Sequence, residues 1–141
     1  MGSIGITKAQ QGGGGAKREK IEAMKIGFIT QKLNLTPEEA QKFWPVYNKF
    51  SDEMEKSRKG YRGKVMEETS DVDNMSNADA EKALNDMIAY RAAEVELLKK
   101  YTTEFKKVIP SQKVVKLFLA EQEFKKELLK QLKEQRGGKQ N

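Results

Sequence analysis

Cysteine and histidine are both missing from this chain of 141 residues. Without thiols there is no disulfide framework and no thiolate nucleophile. Without imidazole or thiolate, the ligand sets that favour transition metals are gone, and so are the usual nucleophile–base pairs. No Gly-x-Ser-x-Gly turn takes their place. No run approaches the ~20 apolar residues that a membrane-crossing helix requires, and no β-hairpin signal is found. The one stretch that begins like a calcium loop, Asp71-Val72-Asp73-Asn74-Met75-Ser76, fails further on. Met75 is a poor fifth ligand, Ser76 replaces the turn glycine, and Lys82 stands where a bidentate glutamate belongs. Neither an enzyme nor a bound cofactor or metal is expected.

What is present points to a solvated, helical, single-domain chain. Charged residues make up 34% and apolar residues 37%, with a formal net charge of +6. A chain of this size can form a core, but a thin one, because surface dominates volume. A second copy of the chain would supply the missing burial. Between Glu67 and Glu81 there are six acidic residues and no Lys or Arg, so the rest carries +12. The acidic stretch reads as a linker between helices. Elsewhere the basic residues are spread along helices without one compact cluster, so no specific nucleic-acid partner is indicated. Long-range attraction of anionic partners is still available to such a surface.

Proline is scarce, with three residues, and each marks a local structure. Leu35-Thr36-Pro37-Glu38-Glu39 has the pattern of a helix start: Thr36 as the cap, Pro37 in the first turn and Glu39 at the reciprocal capping-box position. The pattern recurs 73 residues later as Val108-Ile109-Pro110-Ser111-Gln112. Hydrophobic periodicity predicts four helices. The first runs from Lys17 to about Leu33, with Ile21, Met24 and Phe28 on one face. The second runs from Pro37 to about Glu68, with Phe43, Tyr47, Phe50, Met54, Tyr61 and Val65 inward. Pro45 lies inside it and predicts a bend, since it removes the hydrogen bond to the Gln41 carbonyl. Ser76 caps a third helix ending at Val108 to Pro110. Its expected inward stripe is Leu84, Met87, Arg91, Val95, Leu98, Tyr101 or Thr102, and Phe105. The fourth extends from about Ser111 to Gln135, with Val114, Leu117, Phe118, Phe124, Leu128 and Leu132 on one face and Gly137-Gly138 as its stop. The fold class is therefore all-α, four long helices as two helical hairpins.

The paired helix starts resemble the double LTxxQ signature of the Spy/CpxP-like family of small periplasmic helical proteins and its metal-sensor relatives. Leu35, Thr36 and Pro37 match the first copy, with Glu39 in place of glutamine. Pro110 and Gln112 match the second, with Val108-Ile109 in place of Leu-Thr. The resemblance covers residues 17–136. It implies an elongated or curved homodimer and a periplasmic, ATP-independent chaperone or stress-response protein that contacts non-native proteins. A sensor acting on a membrane-bound signalling partner, such as an anti-sigma or two-component system, is the alternative. Within it, Leu35, Thr36, Pro37, Glu39, Pro45, Pro110 and Gln112 are structural determinants. The absence of His and Cys departs from a metal-sensing role.

The first sixteen residues form a separate region. Met1 to Gln10 lacks the basic start and long apolar core of a full signal peptide. It reads either as the end of an export signal with a truncated start or as a disordered tail. Gly12-Gly13-Gly14-Gly15 reads as a flexible linker, and residues 137–141 as a second tail.

Overall fold

The computed structural model describes residues 12–138, with side chains from 15 to 137. The readings of residues 1–11 as an export-signal remnant and of residues 139–141 as a tail lie outside this range. The described chain is built from four α-helices: α1 (Gly12–Leu33), α2 (Pro37–Glu68), α3 (Asn77–Val108) and α4 (Ser111–Gly138), with a short 3₁₀ turn at Val72–Asn74 before α3. No strand occurs among the described residues, and the all-α expectation holds.

Inner helix boundaries follow local chemistry closely. Thr36 has extended backbone angles and accepts from the Glu39 N–H, while Glu39 accepts in return from the Thr36 N–H. That completes a capping box in front of Pro37. Ser76 caps α3 by accepting from the Asp79 N–H at 3.1 Å. Between α1 and α2, Asn34 adopts a positive φ of 48°. Asparagine tolerates this left-handed geometry better than other non-glycine residues, which suits it to stop a helix. The outer boundaries differ from expectation. α1 begins at Gly12, so the four glycines read as a linker are helical. Extending an existing helix avoids the cost of nucleation, and neither a proline nor a cap stops it at Lys17. At the other end α4 continues through Gly137 and Gly138.

The described chain divides into two units. One is Thr36–Val114; the other takes in the described residues up to Leu35 and from Val115 onward. The Thr36–Val114 unit is an antiparallel α2–α3 hairpin, because its contacts run in opposite order along the two helices. Phe43 meets Phe105, Phe50 meets Tyr101, and Tyr61 stacks on Tyr90 with ring centres 3.9 Å apart. Closer to the turn, Lys64 pairs with Asp86 and Glu68 with Lys82. Its core is aromatic: Phe43 and Phe105 are fully enclosed, and Tyr47, Phe50 and Tyr101 nearly so. Offset and tilted ring pairs of this kind add to the burial of area. Pro45 is exposed, about half a turn from the Phe43–Tyr47–Phe50 face, so its missing hydrogen bond lies on the solvent side of α2.

The second unit joins α1 to most of α4. Phe28 packs on Phe124 at 5.6 Å, and ion pairs link Lys25 to Glu121 and Lys32 to Glu123. Its buried side chains are Ile29, Leu33, Leu117, Ala120 and Phe124. Leu117 and Phe124 belong to the inward face expected for α4.

Candidate interaction surfaces

The two helix starts singled out by sequence come together, though not through the residues the motif would suggest. Lys113, in the first turn of α4, donates to Glu39 Oε1 at 2.6 Å. The same oxygen accepts the Thr36 N–H at 3.0 Å. Both side chains are about four-fifths enclosed, at 20% and 19% exposure. The Lys113 ammonium, followed by the Thr36 backbone N–H, holds the Glu39 carboxyl below its ordinary value. Gln112, the motif residue next door, is exposed and makes no side-chain hydrogen bond among the described residues.

The second start is also shifted by one residue. The Pro110 carbonyl accepts from the Lys113 and Val114 N–H groups, so Pro110 occupies the position before α4 that Thr36 holds before α2. Having no hydroxyl, it caps through its backbone alone. Leu35 is half-buried, while Thr36, Pro37 and Pro110 are exposed. These motif residues set helix ends; none of them lines a cleft of reactive groups.

A different set of residues carries the exposed apolar surface of the hairpin. Along α3, Leu84 and Val95 were expected to face inward, and Ile88 lies on the same line between them. They are instead 57%, 67% and 47% exposed. The face turned to α2 is carried by Ala83, Tyr90, Tyr101 and Phe105. It lies about a third of a turn from the Leu84–Ile88–Val95 line. Arg91, which would have interrupted the core, sits on that outer line and is 75% exposed at its side chain. Met66 and Val72, at the hairpin turn, are exposed as well.

Titratable groups between α2 and α3 are engaged in helix pairing. Lys82 bonds Glu68 at 3.0 Å, and Asp86 lies 3.3 Å from Lys64. Glu68, ahead of the Asp86 charge, holds Lys82 above the ordinary lysine value. Burial, followed by the Glu53 carboxylate, raises the Tyr101 phenol; burial and then Glu94 raise Tyr90. Asp71, the first residue of the calcium-like run, turns its carboxylate to the Asn74 amide at 3.0 Å. Among the described residues no group of three or more acidic side chains could hold a metal ion, and no helix is long and apolar enough to cross a membrane.

Charge separates the two units. In the hairpin unit 14 basic residues face 15 acidic ones, whereas the described part of the terminal-helix unit has 11 basic against 6 acidic. Compared with family models, curated proteins and solved structures, the chain has no match in any of the three.

Proposed function

We propose that this chain is an ATP-independent chaperone or stress-response protein of the bacterial envelope, holding non-native proteins on the outer face of the α2–α3 hairpin. The observation that carries this reading is the aliphatic line Leu84–Ile88–Val95, left exposed along α3 beside a core that is already filled. A long helix with spaced, exposed aliphatic side chains and a charged residue beside them can hold many unfolded segments without demanding one sequence. Ring contacts to α2 bury the other side of α3 and leave this line facing outward. Export to the periplasm and pairing of two copies belong to the same reading and rest on the resemblance in the paired helix starts.

The test is suppression of aggregation of two unrelated denatured clients by the full chain, at low and physiological salt. Suppression of both near equimolar ratio is expected. A Leu84→Gln/Ile88→Gln/Val95→Gln variant with an unchanged helical spectrum should lose most of it. No suppression by the wild type, or full suppression by the variant, would overturn the assignment. Capture of one saturable envelope partner instead would favour the sensor reading.

A further inference from the structure

We infer that the outer face of α4 is a docking surface for an anionic lipid bilayer. Buried Val114, Leu117, Ala120 and Phe124 define the inner side of this helix. Roughly opposite, within a strip about a quarter turn wide, lie Val115, Leu119, Lys126, Leu129, Lys130 and Lys133. The three aliphatic residues are 58%, 52% and 59% exposed. The three lysines are exposed too, and none has a carboxylate within ion-pair distance among the described residues. The acidic residues Glu123, Glu127 and Glu134 fall about a quarter turn to one side, off this strip.

This combination fits lipid better than another partner class. At a bilayer surface, aliphatic side chains enter the acyl boundary while lysines lie along the helix and reach back to the headgroups. Each lysine near an anionic leaflet contributes attraction, and the excess of basic residues in this unit gives the field its sign. Single-stranded nucleic acid recruits aromatic platforms and arginine, and this strip has only half-buried Phe118 and a single arginine, Arg136, at its margin. The surface is also distinct from the hairpin's aliphatic line, which lies in a unit of nearly balanced charge. The inference therefore stands apart from client binding.

Co-sedimentation of the full chain with vesicles tests it. One set contains phosphatidylcholine alone and the other includes phosphatidylglycerol at about one lipid in three. Binding is expected to the second set only, and it should weaken as salt rises to roughly 0.5 M. Replacing Lys126, Lys130 and Lys133 by Gln should lower partitioning about fivefold per residue. Leu119→Gln/Leu129→Gln, which leaves the charge intact, should lower it about tenfold or more. Both variants should keep wild-type helicity and client suppression. The proposal is overturned if the chain ignores anionic vesicles or binds neutral ones equally. It is also overturned if the leucine variant binds like wild type, or if single-stranded RNA binds more tightly than the vesicles do.

Discussion

Glu39 and Lys113 stand 74 positions apart in sequence and meet at 2.6 Å, joining the first turn of α2 to the first turn of α4. One carboxylate oxygen thus closes a capping box and fixes the far end of the hairpin unit to its start. A pair this enclosed, sharing its acceptor with a backbone N–H, does more than an exposed surface ion pair, which contributes little.

The sign of its pH dependence follows from the direction of the shift. Because the folded state holds Glu39 below the ordinary carboxylate value, its contribution is complete above that value of 4.5 and is lost as pH falls through the lower, folded-state value. Glu39→Gln should therefore melt at a lower temperature than wild type near pH 7, and the two should converge as pH falls from about 5 to 3. Melting temperatures across that range, from circular dichroism, decide it; a constant gap at every pH would reject the ion pair as the cause.

Loss of a cap should be felt at both capped helices. Thr36→Ala and Ser76→Ala should each cost about 1 kcal/mol, read from urea midpoints at constant slope. Pro110→Ala should cost less than either, because the Pro110 carbonyl that caps α4 is kept in alanine. A Thr36→Ala midpoint equal to wild type would remove the capping-box assignment.

Contrasting substitutions on α3 separate its two apolar lines. Phe105→Ala opens a fully enclosed site and should cost about 3–5 kcal/mol. Ile88→Gln, at 67% exposure, should change stability by less than about 0.5 kcal/mol. If Ile88→Gln destabilised as strongly as Phe105→Ala, the face of α3 turned toward α2 would be wrongly identified.

Alkaline titration offers an independent check on the hairpin core. Burial raises both Tyr90 and Tyr101, each with a carboxylate nearby. Tyr90 and Tyr101 should ionise above the usual value of 10.0 when followed by phenolate absorbance, and Tyr101→Phe should remove one of the late steps. Loss of no late step in Tyr101→Phe would contradict the packing.

Helix number, type and inner boundaries were legible because they depend on neighbours in sequence. Thr36, Glu39 and Ser76 cap through residues three positions away, and Asn34 stops α1 through its own backbone. The α2 face was legible as well, since its aromatic residues at 43, 47 and 50 leave one choice. On α3 the pattern was ambiguous. Ala83, Met87, Leu98, Tyr101 and Phe105 form one apolar line, and Leu84, Ile88 and Val95 form another about a quarter turn away. Periodicity cannot choose between them; packing against the α2 rings does. Lys113 was invisible for a related reason, because nothing local distinguishes it from the other lysines of α4. The motif drew attention to Gln112 instead, one residue short of the contact.

The aromatic ladder has a spectroscopic consequence. Trp44 and all four tyrosines lie between Thr36 and Val114, while the terminal-helix unit carries only phenylalanine. Intrinsic tryptophan and tyrosine fluorescence, and near-ultraviolet dichroism at wavelengths beyond the phenylalanine bands, therefore watch the hairpin and are blind to α1 and most of α4, whereas far-ultraviolet dichroism counts every helix. Superimposing the two melting curves would show whether the units unfold as one cooperative body or in sequence, without a label or a substitution.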